Sequence, residues 1–358
     1  MKILLLNLNY NKNYSIIGGG NRHLYYIFNE LKNKKDVEIN NFFIEIDNFN
    51  LKNIIVSFIK FLNEIKNFIP KSDIILVSSP YPNDFFAGLI LYFKTKIPVA
   101  VYFHHYLSPF YKPIKRGLFR SFIYSILFSF EIALAKIFEI PLFMDNHKFY
   151  RLGTIKLYED EDAPDKINLD KYKNNKEKIY DLCYIGRLQK HKGIIDLLKV
   201  IKRLKKKGYN LKVALIGRIG KEKKKLIRII KNYKIKDNVI FFGELNEDEK
   251  NKILAKSKIF ISLSYEEGWG ISVMDAAYLR IPIVAYSLKA YSYLNDNYFK
   301  CKVGDLNDVV EKIIYIIENY EEAIKLSLEA EKQVSNYDYK KIAYDQYQYY
   351  LDIINKKN

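Results

Sequence analysis

Residues 258–287 read KIFISLSYEEGWGISVMDAAYLRIPIVAYS. KIFISLS is a short run with both faces apolar, as in a strand of a covered parallel sheet. YEEGWG is a glycine-broken loop. A helix then starts near Gly270 and runs to about Leu279, and IPIVAYS is a second buried strand. Strand, loop, helix and strand in this order form a βαβ unit, which implies parallel pairing. The same signature recurs. KILLLN, DIILVSS and IPVAVYF open the chain, and helical patterns follow them. The series restarts with YDLCYIG, LKVALIG and NVIFFG before the quoted stretch. The reading is an α/β chain with two parallel sheets. Residues 1–160 form a first domain, 161–178 a charged linker, 179–336 a second domain, and 337–358 a closing helix.

The chain has 358 residues, enough for two cores. An apolar content of 49% excludes wholesale disorder. Two cysteines, Cys183 and Cys301, exclude a disulfide framework and have no metal-type spacing. The start, MKILLLNLNY, is too short for a signal peptide and reads as a first strand. The apolar tract LFRSFIYSILFSFEIALAKIF is interrupted by Arg120, Glu131 and Lys136, which argues against a spanning helix. A cytoplasmic protein is expected, placed in part at the inner face of the membrane. The net charge of +18 is mostly lysine and reads as spread widely along the chain. A charge of that size attracts nucleic acid, acidic lipid or phosphorylated substrates.

In open α/β sheets ligands bind beyond the carboxyl ends of strands. The loops there carry the candidate chemistry. GGGNRH, residues 18–23, enters a helix, where glycines and a helix N-terminus suit an anion. It is neither a P-loop nor a dinucleotide fingerprint, since His23 stands where a third glycine belongs. His104 and His105 follow the third strand. Strand alternation lets at most one of them face a cleft. RLQKHKG places Arg187 and Lys192 beside a helix opening near Gly193, and two cations there can clamp a diphosphate. In YEEGWG, Glu267 lies in the loop, while Asp275 sits about a turn and a half into the helix. Acids that hold hydroxyl groups, beside a helix end that holds phosphate, suit a nucleotide sugar. The plainer alternatives are an N-capping acid for Glu267, a solvent-facing Asp275 and a solvated basic loop.

These residues together resemble the retaining glycosyltransferases of family 4, which have the GT-B fold of two facing Rossmann-like domains. The quoted stretch resembles that family's E-x7-E motif, with Glu267 first and Asp275 in place of the second glutamate. IGRLQKHKG resembles its G-R-L-x-x-x-K-G segment, and GGGNRH its first glycine-rich loop. His104 falls where the family often has histidine. The likeness departs at Arg280, a position commonly glycine, at DEDAPD in the linker, and at SLKAYSYL after the last quoted strand. The resemblance implies a nucleotide-sugar-dependent hexosyltransferase, with the closing helix returning to the first domain. Arg187 and Lys192 would neutralise the leaving diphosphate, and Glu267 and His104 would meet the sugar. Gly19, Gly20, Gly217, Glu244, Leu245, Gly268, Trp269, Gly270, Ile271 and Asp275 would hold the donor. Asn21, Arg22, His23 and His105 would lie on the acceptor side. No metal and no cofactor beyond the donor are implied. The expected partners are a nucleotide sugar, a glycan or lipid-linked acceptor, and an anionic membrane surface through residues 111–123. Specific nucleic-acid binding is not expected. The alternative is a catalytically inactive scaffold that uses its basic surface on nucleic acid or acidic polymer.

Overall fold

The computed structural model describes residues 1–10, 19–45, 51–66, 70–79, 81–103, 118–144, 157–159, 161–220 and 222–356. Among these residues, twelve strands form two parallel sheets. In the first, β1 (Lys2–Tyr10) pairs with β2 (Glu38–Glu45) on one side and β3 (Ile74–Val77) on the other. β4 (Val99–Phe103), β5 (Leu142–Met144) and β6 (Leu157–Glu159) continue outward from β3. Helices α1 (Gly19–Lys32), α2 (Leu51–Glu64), α3 (Pro82–Thr95) and α4 (Leu118–Ile137) connect them.

The second sheet has β7 (Tyr180–Ile185), β8 (Val213–Ile216) and β9 (Val239–Gly243) on one side. The chain then returns to the far side of β7 for β10 (Ser257–Ser262), β11 (Ile283–Tyr286) and β12 (Phe299–Cys301). This is the doubly wound order, and it reverses between β7 and β10. α5 (Lys166–Leu169) precedes the sheet, and α6 (Ile194–Lys206), α7 (Lys223–Tyr233), α8 (Glu247–Ala255), α9 (Ile271–Tyr278), α10 (Leu306–Glu318) and α11 (Tyr320–Val334) surround it. α12 (Tyr339–Asn355) ends the chain.

The protein divides into two compact units. One holds β1–β6, α1–α4 and α12, and the other runs from Ala163 to Tyr337. Each has its own core. In the second unit, Ile194, Leu197, Leu198, Ile201 and Leu204 recur at helical spacing along α6 and are buried, while lysines take the opposite face. Asn246 and Glu249 cap α8 reciprocally through each other's backbone N–H groups. In the first unit, the tyrosine stripe of α12 is core only in part: Tyr339 and Tyr350 are buried, Tyr347 and Tyr349 half-buried, and Tyr344 exposed. Tyr350 is fully buried, and Gln346 accepts from Tyr102 Oη at 2.6 Å.

The stretch 161–178 is not a solvated linker. Ala163, Asp165 and Leu169 are buried, and Asp165 caps α5 through the Asn168 amide. Charge misleads here because several of the acids are matched by donors, the Asn168 amide for Asp165 nearby and Tyr339 Oη for Asp162 and Tyr278 Oη for Asp170 from distant helices. Four strands carry no strong sequence signal. β2 is an edge strand with mostly exposed side chains, and β5, β6 and β12 have three residues each. Among the described residues, no helix is long and apolar enough to cross a membrane. Both cysteines are free and buried.

Candidate active site

At the point where the second sheet reverses, β7 and β10 lie side by side, with Leu182 opposite Ile259 and Cys183 opposite Phe260. The loops beyond their carboxyl ends are tied to each other. The Tyr265 amide donates to the His191 carbonyl at 2.9 Å. Gly193, the N-cap of α6, lies so close to the β10 loop that a Cβ would stand 1.9 Å from the Leu263 carbonyl oxygen. Its φ of 77° adds a second reason for glycine.

This closeness brings Lys192 to Glu267. Lys192 Nζ is 2.7 Å from Glu267 Oε2, and Ser264 Oγ donates to Glu267 Oε1 at 2.6 Å. Both ion-pair partners are 18% exposed, so the pair is partly screened and remains within reach of a ligand. Arg187 stands exposed at the end of β7, with no side-chain partner among the described residues. Below the loop, the buried Tyr184 hydroxyl meets the carbonyls of Arg187 at 3.0 Å and Lys192 at 3.2 Å. Burial, with the negative Glu267 next, pushes the Tyr184 phenol far above its ordinary range and keeps it neutral.

Two helices start at this point, and neither has a side-chain cap. α6 begins after Gly193, and α9 begins after Gly270, whose φ is 82°. Their first backbone N–H groups are therefore left for an anion. The Trp269 side chain does not face outward. It is buried, stacks on Tyr293 with centroids 5.5 Å apart, and directs Nε1 at Met274 Sδ. Only the backbone around Trp269, Gly268, Gly270 and Ile271 is available to a ligand. Gly217 follows β8, and its amide donates to Gly243 at 2.7 Å. Glu244 is exposed and Leu245 half-buried after β9.

Asp275 lies in the second turn of α9 and is completely buried, which corrects the solvent-facing alternative. Oδ2 is 3.3 Å from Lys250 Nζ, and Oδ1 accepts from the Asp165 amide at 3.4 Å. It ties α9 to α8 and to the chain ahead of α5. Arg280, where the resemblance expects glycine, adopts the left-handed conformation with φ 59°. Two guanidinium contacts to Glu331, at 2.7 and 3.3 Å, offset that strain.

In the first unit, Gly19 and Gly20 open α1 and Asn21 follows in the same helix. Arg22 and His23 are buried. His23 Nδ1 is 3.7 Å from Asp162 Oδ1, which also accepts from Tyr339 Oη at 2.5 Å. These contacts anchor α1 to α12. Gly18, His104, His105 and residues 111–117 lie outside the described residues. Among those described, no group of acids, histidines or cysteines has metal-binding geometry. Ser264, Tyr184 and the buried Asp196, which accepts from Tyr286 Oη at 3.2 Å and from Tyr265 Oη, were not legible as site residues. Ser264 had a weak signal, three positions before Glu267.

Residues 165–333 match the family model described as Glycosyl transferases group 1. The O-antigen biosynthesis glycosyltransferase WclY of Escherichia coli is 24% identical over 309 residues, covering 82% of this chain and 84% of that protein. Sucrose-phosphate synthase from Thermosynechococcus elongatus superposes with a TM-score of 0.76 at 14% identity, over 99% of this chain and all of that one. HepE of Anabaena, in complex with UDP and glucose, gives 0.70 at 16% identity, over 97% of this chain and 98% of that one. At such identities the structural likeness shows the fold, while the family match covers the elements that build the site. Residues 165–333 thus match the group 1 glycosyltransferases, and the chain has the GT-B fold of a nucleotide-sugar-dependent glycosyltransferase.

Proposed function

We propose that the protein moves a hexose-type sugar from a nucleoside diphosphate to a hydroxyl of a glycan or glycolipid, with retention at the anomeric carbon. The observation that carries this reading is the 2.7 Å pair of Lys192 and Glu267 beside exposed Arg187, at two uncapped helix starts. As the bond from the anomeric carbon to the β-phosphate oxygen breaks, negative charge grows on the phosphate. Arg187, Lys192 and the N–H groups of α6 and α9 are fixed positive partners for that charge. The acceptor oxygen bonds to the same face of the sugar, and its proton passes to the departing phosphate oxygen. Glu267, held from two sides, is placed to accept from sugar hydroxyls. Glu244 and Leu245 border the base, and the family resemblance assigns His104 a role toward the sugar. The UDP and glucose of HepE support the donor class, and the O-antigen role in the name of WclY supports a glycan acceptor.

The chemistry needs no metal in this reading, and the enzyme works on the cytoplasmic side, with residues 111–123 against the inner membrane face. The test is hydrolysis of UDP-, GDP- and ADP-sugars, followed by mass spectrometry on candidate acceptors. One donor class is expected to be cleaved slowly, and activity is expected to survive EDTA. Loss to EDTA with rescue by Mg²⁺ would make the acids metal ligands. Thermal stabilisation by oligonucleotides and by none of the nucleotides would favour the binding-scaffold alternative.

A further inference from the structure

Counted by segment, the positive charge is not spread along the chain. Residues 197–236 contain 16 Lys or Arg and a single acid, Glu222. The rest of the chain has 43 cations and 41 less that one acid, 40, so it is nearly neutral. A coding bias toward lysine does not explain this. Lysine is common everywhere, and acids are also absent from residues 85–130, but that stretch has only six Lys or Arg against the 16 gathered here.

The segment folds into the second half of α6, β8 and α7. Apolar residues of α7, Leu226 and Ile230, dock it on the core, so its outward face is not needed for packing. That face presents Lys223, Lys224, Arg228 and Lys231 to solvent, with Ile227, 54% exposed, among them. The end of α6 adjoins it. Lys202 Nζ lies 4.3 Å from the centroid of the Tyr233 ring, and Lys205 Nζ donates to the Lys234 carbonyl at 2.7 Å. Exposed Lys206 and Lys207 extend the same cationic face. Among the described residues, none of these exposed cations has a carboxylate within ion-pair distance. Keeping them together costs self-repulsion, which an anionic partner would relieve.

We propose that this α6–α7 face of the second unit docks on an anionic bilayer surface. Thirteen of the 16 cations are lysine, a hydrated point charge suited to a diffuse layer of headgroups rather than to the bidentate phosphate contacts of arginine. Ile227 is an apolar side chain placed to enter the interface. A single-stranded nucleic acid would want exposed aromatic rings for its bases. The two tyrosines here are half-buried, Tyr233 beneath Lys202 and Tyr209 bonded to Glu318. Its residues are other than 111–123. Its link to a lipid-linked acceptor rests on the function proposed above, but the docking itself does not.

The experiment is co-sedimentation with vesicles of phosphatidylcholine alone or with about a third phosphatidylserine. Wild type is compared with a variant carrying Lys223→Glu, Lys224→Glu, Arg228→Glu and Lys231→Glu, and with one carrying Gln at the same four positions. Wild type should pellet only with the acidic vesicles and release as salt rises. The Glu variant should bind on the order of a hundredfold more weakly, and the Gln variant should fall between. Donor hydrolysis in solution should be unchanged in both, which shows that they are folded. Equal pelleting of wild type and variants overturns the proposal, as does no pelleting by wild type. Displacement of wild type from vesicles by an equal charge of oligonucleotide would assign the face to nucleic acid instead.

Discussion

The second sheet reverses between β7 and β10, and the loops beyond it hold Arg187, Lys192 and Glu267, partly open to solvent. The first sheet reverses between β1 and β3, and two of the residues described near the matching place are buried acids. Asp84, in the first turn of α3, is fully buried and accepts from the Leu8 amide at 2.6 Å and from Ser79 Oγ. Glu131, on α4, is 1% exposed, and among the described residues neither of its oxygens has a hydrogen-bond partner. Burial first, and the negative Asp84 next, push its carboxyl up to about 8. Two sheets of similar plan thus treat one topological position in opposite ways. One leaves an ion pair partly open to solvent, and the other buries a carboxyl whose titration is pushed upward. A binding place in this fold needs loops that leave charge accessible as well as the strand crossover.

The largest effect should come from breaking the open side. Glu267→Gln keeps the shape and removes the charge that Lys192 and Ser264 hold. Turnover should fall by about a hundredfold or more, with nucleotide affinity within a few-fold. Lys192→Ala should lose a similar amount, and the double variant should lose less than the product, because the two side chains touch. Multiplicative losses would mean that the pair does not act as a unit. Arg187→Ala offers a comparison, since it removes a cation that has no carboxylate partner among the described residues.

On the closed side, the expected signature is in stability rather than rate. Glu131 has a folded-state pKa of about 8 against an ordinary 4.5. Between those values the folded state holds a proton that the unfolded state has released, so stability falls as pH rises from about 4.5 to about 8 and levels off above. Glu131→Gln cannot ionise and should remove that slope, leaving the variant more stable than wild type by several kcal/mol at pH 9. Urea unfolding at pH 5 and pH 9 measures it. Parallel pH profiles for the two proteins would show that Glu131 titrates normally.

Much of this contrast was legible in the sequence on one side only. The second unit announces itself because short apolar strands end in glycine loops, and Arg187, Lys192 and Glu267 stand in those loops at recognisable spacing. Tyr184 and Asp196 were hidden inside what reads as strand and helix core, since the pattern cannot show that a buried hydroxyl or carboxylate faces a loop. Asp275 illustrates the limit from the other direction. Its spacing from Glu267 was clear, but its burial depends on Lys250 and on the chain near Asp165, both far away in sequence. In the first unit, Asp84 and Glu131 carry no motif, and only packing makes them neighbours.

Asp275→Asn tests which role that residue has. It leaves Lys250, itself mostly buried, with Glu247 as its remaining carboxylate partner. Breaking a buried pair costs about 3 kcal/mol, and Glu247 should reduce that loss. A lowered Tm without nucleotide is therefore expected, alongside any rise in donor KM. A raised KM with unchanged Tm would mean that the carboxylate serves the ribose and contributes little to holding α9.

The smallest predicted effect separates loop positioning from simple packing. The Tyr184 hydroxyl touches the carbonyls at both ends of the Arg187–Lys192 loop, while its ring fills the core beneath. Tyr184→Phe preserves the ring and removes the tie. Losing one net hydrogen bond of about 1 kcal/mol corresponds to roughly a fivefold change. If the tie sets the position of Lys192 against the leaving phosphate, that change should appear in kcat, with donor KM nearly constant and Tm lowered only slightly. The comparison with Glu267→Gln then becomes informative. In a protein already lacking the Glu267 charge, Lys192 has lost its partner, and Tyr184→Phe should cost more than it does in wild type. An equal cost in both backgrounds, or a change in Tm without a change in kcat, would reduce the hydroxyl to a core contact and leave the loop held by Gly193 and by backbone bonds such as Tyr265–His191 and Leu188–Arg218.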